Sequence, residues 1–131
     1  ADLLADAQPL ELPGFSYAPT VLARAPLSAR AMSEEPFGPL ALLQPYRELD
    51  EAVAEANRLP VGLAAYAFTR SLRSARYLPE SIEAGMVALN TTLIARVEAP
   101  FLGVKDSGHG AENGTEGLDP YLVTKSISEP A

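Results

Sequence analysis

The spacing of its apolar runs constrains this chain more than any other feature. Three short apolar stretches, at 39–44, 63–68 and 86–89, alternate with two segments of helical period, at 50–58 and 71–84. Continuous apolar runs of strand length suit strands buried on both faces. Leu49, Val53 and Ala56 lie at spacings of four and three, one face of a helix, and that helix should stop before Pro60. Asp50 is its expected N-cap, with a carboxylate able to accept free N–H groups of the first turn. Ser71 should cap the second helix, Leu72, Ala75 and Leu78 share one face, and Gly85 is the expected C′ residue. Pro79 removes the bond to the Ala75 carbonyl, which predicts a kink. Strands alternating with helices predict an α/β fold with a largely parallel sheet and right-handed crossovers. The three apolar runs are its expected sheet core.

The flanks are less patterned. Residues 1–13 read as an acidic lead-in that ends at Pro13-Gly14. A strand is expected over 15–23, at a sheet edge or in two pieces because Pro19 cannot donate to a ladder. Residues 25–30 suit a turn or short helix. Residues 91–119 read as a long loop with glycines at 103, 108, 110, 114 and 117, and 121–128 alternates enough for a terminal strand. The 131 residues fit one ordinary domain, divided as lead-in 1–13, main body 14–120 and tail 121–131.

Charge and composition remove several functions. The net charge of -7 opposes binding to a phosphate backbone, which needs clustered Lys and Arg, so no nucleic-acid partner is expected. No apolar run approaches a membrane span, so no membrane partner is expected either. The N-terminus lacks the positive region of a secretory signal and lacks Met, which suggests a piece of something longer. With no cysteine and one histidine, thiol nucleophiles and His-rich metal sites are excluded within these residues, and no metal is expected. Ser107 and His109 are too few for a triad, and His109 reads as a solvated loop residue. Gly108-His109-Gly110 lacks the third glycine of a dinucleotide fingerprint.

Two segments stand out chemically. The first is the turn Ser33-Glu-Glu-Pro-Phe-Gly-Pro-Leu40, which presents a carboxylate and an aromatic ring at the start of a strand. A carboxylate can accept both hydroxyls of a ribose, and a ring can pack on a flat heterocycle. On local chemistry alone the plainer reading is favoured: a proline-rich turn with solvated glutamates and a core Phe37. The second is the glycine-rich stretch at 98–110, which would set Phe101 beside a substrate or serve only turns; a long loop in a compact domain leaves these nearly even.

In order along the chain, GFSYAPTVL (14–22), EEPFGPL (34–40), GLAAYAFTR (62–70), EAGMVALNT (83–91), EAPFLGVKDSG (98–108) and GLDPYLVTKSI (117–127) resemble the aldehyde dehydrogenase superfamily. The resemblance covers about 14–128 and is most similar to the succinate-semialdehyde dehydrogenase-like branch. It implies the C-terminal part of the catalytic domain, followed by an oligomerisation strand. Through it, Glu35 corresponds to the acid that binds the nicotinamide ribose, and Phe37 to the ring beside the nicotinamide. Asn90 corresponds to a residue near the active site, and Phe101 to an aromatic of the substrate tunnel. Arg96, in the family's variable substrate-facing segment, would meet an anionic substrate tail, although a solvent-facing arginine is the plainer reading. Leu102, Ala111 and Pro79 replace the family's usual glycine, arginine and helix former.

In that family the nucleophilic cysteine, the general-base glutamate and the cofactor domain lie upstream of the matching region. The resemblance therefore implies a parent that oxidises an aldehyde, a semialdehyde among the candidates, to a carboxylic acid with NAD or NADP. This piece alone should be inactive and should hold neither cofactor tightly, so no residue here is assigned as catalytic. The alternative is a truncated, non-catalytic member acting as a binding or assembly module. A cytoplasmic setting and self-association, as a homodimer or larger, are also expected, the latter through the terminal strand and apolar surface that upstream sequence would cover.

Overall fold

The computed structural model describes residues 1–5 and 14–130, so most of the expected lead-in lies outside the described residues. The chain forms two compact units, Ala1–Leu49 and Asp50–Ala131. The first is built of strands and a 3-10 turn, and the second mixes strands with both α-helices.

The first unit is built on a three-stranded sheet in the order β1-β2-β3. Residues 1–5 were expected to be unpatterned, yet β1 (Asp2–Ala5) pairs antiparallel with β2 (Thr20–Ala23), with Asp2 opposite Ala23 and a bulge between Leu3 and Ala5. The open edge of β2 specifies this strand; its own sequence does not. An Asp2–Arg24 ion pair closes the end. Strand β2 begins only after Pro19, later than the expected 15–23, because proline has no N–H for a ladder. Thr20 N–H instead starts the pairing, donating to the Pro39 carbonyl at 2.8 Å. Parallel pairing with β3 (Leu40–Leu43) then sets Thr20 opposite Leu40 and Ala23 opposite Leu43.

Two expectations for β3 change. It is not buried on both faces, since Ala41 is exposed and Leu43 is 49% exposed. Nor does it join the other two apolar runs in one sheet; its partner is β2. An apolar run specifies a strand, but not what covers each face or which edge it meets. The expected turn at 25–30 becomes a 3-10 turn at Arg30–Met32.

The second unit centres on a βαβ crossover. Helix α1 (Leu49–Ala56) leads through the short β4 (Val61–Gly62) into β5 (Ala64–Ala67), then α2 (Leu72–Ser81), then β6 (Met86–Leu89). Strands β5 and β6 are parallel, with Ala64 opposite Met86 and Ala67 opposite Leu89. Val53, Leu78, Met86 and Ala88 supply the buried apolar side chains. Asp50 lies inside α1 and does not cap it; its Oδ1 accepts the Tyr77 hydroxyl at 2.7 Å. That hydrogen bond to a carboxylate holds the Tyr77 hydroxyl above the usual phenol range. Ser71 does cap α2, its Oγ accepting from Ser74 N–H at 3.3 Å. Pro79 sits in the last turn and the helix runs on to Ser81. Gly85 is not the C′ residue: the helix closes at Ile82, whose N–H donates to the Leu78 carbonyl at 3.0 Å.

The stretch expected to be loop carries three short strands: β7 (Phe101–Leu102), β8 (Val104–Lys105) and β9 (Ala111–Glu112). Strand β8 pairs with β4 and β7 with β9, both antiparallel. A 3-10 helix follows at Glu116–Tyr121. The terminal strand expected at 121–128 does not form in the single chain: Tyr121 closes the 3-10 helix, and Val123 and Ile127 are 96% and 80% exposed. β-rich composition gives a segment the capacity to pair, but a strand needs a partner edge for its N–H and C=O groups.

Asn57 ties the ends of the two helices. Its Nδ2 donates to the Ser81 carbonyl at 2.7 Å and its Oδ1 accepts Glu83 N–H at 2.8 Å. Alanine there leaves two backbone groups without partners, so Asn57→Ala should lower stability by about 2 kcal/mol. The urea midpoint should fall at unchanged m-value, and Asn57→Asp, which keeps only the acceptor, should lie between. A midpoint equal to the parent's would show that water replaces both bonds at no cost.

Candidate functional site

The turn that follows the 3-10 segment sorts its two glutamates. Arg30 grips Glu34 with Nε on Oε1 at 3.0 Å and Nη2 on Oε2 at 2.7 Å, the spacing of four residues that brings side chains together on a helical turn. The guanidinium holds the Glu34 carboxyl below the usual carboxylate range. Glu35 forms no ion pair among the described residues and is exposed.

Beyond Glu35 the chain is held by two successive three-residue turns, Gly38 N–H to the Pro36 carbonyl at 2.9 Å and Leu40 N–H to the Gly38 carbonyl at 2.8 Å. Prolines 36 and 39 stiffen this stretch by fixing φ. The result pushes Phe37 outward, 94% exposed, which overturns the reading of a core phenylalanine. Phe15, Tyr17 and Phe37 line a hollow of about 600 Å³ together with the two prolines and Leu40. A free carboxylate thus stands next to an aromatic hollow.

Asn90, Arg96 and Phe101 belong to the second unit. Asn90 ends β6 in the left-handed region, φ 55, a conformation asparagine tolerates better than most residues. Its N–H donates to the Ala67 carbonyl and its Oδ1 accepts Thr69 N–H, both at 2.8 Å, so it locks the ends of β5 and β6 together. Arg96 is exposed and forms no ion pair among the described residues. It opens a turn that Ala99 N–H closes on the Arg96 carbonyl at 3.3 Å. Phe101 is half-buried in β7 opposite Glu112.

Lys105 was not singled out in the sequence, and it holds the glycine-rich stretch in place. Its Nζ donates to the carbonyls of Asn57 and Leu59, at 3.2 and 3.3 Å, and pairs with Glu83. A cation at the carbonyl end of α1 is favoured by the helix dipole. Ser107 Oγ accepts Gly62 N–H at 2.8 Å, and His109 is exposed, so the two form no nucleophile–base pair. Among the described residues no group of three or more His, Asp or Glu side chains is placed to hold a metal, and no helix is long and apolar enough to cross a membrane.

Residues 1–127 match the model of the aldehyde dehydrogenase family. A 4-(hydroxymethyl)benzenesulfonate dehydrogenase of Comamonas testosteroni is 51% identical over 112 residues, 86% of this chain and 24% of its own length. A succinate-semialdehyde dehydrogenase of Paenarthrobacter nicotinovorans is 41% identical over 119 residues, 91% of this chain and 26% of its own length. The solved structure of an Aldehyde Dehydrogenase C mutant from Pseudomonas syringae, complexed with NAD+ and octanal, superimposes with a TM-score of 0.85 at 40% identity, over 95% of this chain and 26% of that one. The chain spans about a quarter of the length of these relatives.

Proposed function

Because the chain belongs to the aldehyde dehydrogenase family, we propose that it supplies the C-terminal part of an enzyme that oxidises an aldehyde with an anionic tail to the carboxylic acid, using NAD or NADP. The observation that carries this reading is the turn at 33–40: Glu35 has no ion pair among the described residues and stands beside the exposed Phe37 at an aromatic hollow. These residues fit the cofactor. The Glu35 carboxylate would accept the two hydroxyls of a ribose, and the face of Phe37 would pack against a nicotinamide ring. The bound cofactor would accept the hydride that leaves the substrate.

Arg96 and Phe101 give the substrate end of the reading. Phe101 offers an apolar wall for the body of the aldehyde, and Arg96 offers a free fork of donors for a carboxylate or sulfonate. The relatives named for a benzenesulfonate and for succinate semialdehyde support an anionic substrate class. Asn90 acts on the substrate loop from one end, since its side-chain oxygen is already engaged by Thr69 N–H. The exposed tail beyond Tyr121 is the surface we assign to pairing with a second copy, in a cytoplasmic enzyme.

The test is a charge-selectivity measurement on the full-length protein that carries this segment. Arg96→Gln should lower kcat/KM for succinate semialdehyde roughly tenfold, the loss of one charge-assisted contact, and leave a neutral aldehyde of equal length unchanged. An equal effect on both aldehydes rejects Arg96 as the anion contact. Absence of NAD(P)H formation from any aldehyde by the full-length protein rejects the enzymatic reading and favours an assembly module.

A further inference from the structure

The segment that bears Arg96 and Phe101 is held at both ends by one short stretch, 111–114. At one end, Gly114 N–H donates to the Val97 carbonyl at 3.0 Å. At the other, β9 pairs with β7, placing Phe101 opposite Glu112 and Leu102 opposite Ala111. Between these anchors, Asn113 and Gly114 are consecutive left-handed residues, with φ of 61° and 59°. This reversal of the backbone turns the Gly114 N–H back toward Val97. A β-carbon on Gly114 would stand 3.0 Å from Pro100 N and 3.2 Å from Pro100 Cδ. Glu116 Oε2, at 2.8 Å, can swing aside, but the Pro100 ring cannot, because it is tied to the main chain.

We propose that Gly114 is a positioning residue for substrate specificity: with Asn113 it forms a template that fixes where Arg96 and Phe101 stand relative to one another. The proposal rests on the reading of Arg96 as the anion contact. Any side chain at 114 presses on Pro100, the residue between the Arg96 turn and Phe101, and shifts both by tenths of an ångström. Neither residue is altered chemically, so the effect is on geometry alone.

The full-length enzyme with Gly114→Ala, Gly114→Asn and Arg96→Gln separates the possibilities. Asparagine tolerates the left-handed backbone and still carries the β-carbon, so it isolates the contact with Pro100 and decides the matter if Gly114→Ala fails to fold. The readout is the ratio of kcat/KM for succinate semialdehyde to that for a neutral aldehyde of the same length. Gly114→Asn should lower the ratio roughly tenfold, mainly through KM, with a thermal midpoint near the parent's. Combined with Arg96→Gln it should lower the ratio no further, because both changes remove the same contact. If Arg96→Gln lowers the ratio and folded Gly114→Asn does not, the positioning role is wrong and the Arg96 reading stands. If Arg96→Gln leaves the ratio unchanged, both fall.

Discussion

Replacing Gly62 with alanine should destabilise the second unit severely and move its urea midpoint far below the parent's. A β-carbon at Gly62 would overlap the Glu83 carbonyl oxygen and stand 2.9 Å from Val104 Cγ2, where carbon contacts normally begin near ~3.5 Å. The obstacle is backbone and cannot rotate away. Nor can Gly62 retreat, since its N–H is held by Ser107 Oγ and its carbonyl accepts Gly85 N–H at 3.1 Å. Overpacking of this kind costs about 3 kcal/mol or more, against a total of about 5–15 kcal/mol for a whole domain. Gly85→Ala should behave the same way, because its β-carbon would overlap the Leu102 carbonyl oxygen and lie 2.8 Å from the carbonyl carbon. Far-UV circular dichroism through a urea titration is the check. A parent-like midpoint for either variant would mean that β4, β6 and the Leu102 strand separate more easily than their packing indicates.

The 131-residue chain, purified by itself, should form no NAD(P)H from any aldehyde. Covalent oxidation needs a thiolate to attack the carbonyl, and the chain contains no cysteine. Ser107, the hydroxyl nearest His109 in the sequence, has its Oγ engaged by Gly62 N–H. Mixing the chain with NAD or NADP and succinate semialdehyde should match the blank. Chain-dependent NAD(P)H production that survives repurification would overturn this, and would require a nucleophile other than a thiol.

The two helices and the strands at 40–43, 64–67 and 86–89 were legible in the sequence, whereas β1, β4 and the short strands β7–β9 were not. Val53, Leu78, Met86 and Ala88 lie at positions where helical and strand periods put them inward, and Ser71 caps the helix that its position announced. The parallel pairing of β5 with β6 follows from a helix between two short apolar runs. The Glu35 and Phe37 pair was visible as residue types at a turn, but not as geometry. Only the Arg30 fork on Glu34 shows which glutamate is left free, and only the two tight turns show that Phe37 points outward.

Amphipathic period, proline and capping residues act over a few positions, so the sequence by itself determined which segments become the two helices and the strands β2, β3, β5 and β6. What it could not determine were the interactions between positions far apart. The pairing of β1 with β2, the membership of β3 in a separate sheet and the Lys105 side-chain contacts to the Asn57 and Leu59 carbonyls each join groups far apart in the chain that no local pattern records. Gly85 shows the difference most directly. Its position after a helix suggested a left-handed terminator, whereas its function is to let the Leu102 backbone pass where a β-carbon would stand. The tail at 122–130 makes the same point from the other side: strand composition is local, but a strand forms only where another edge offers its hydrogen bonds.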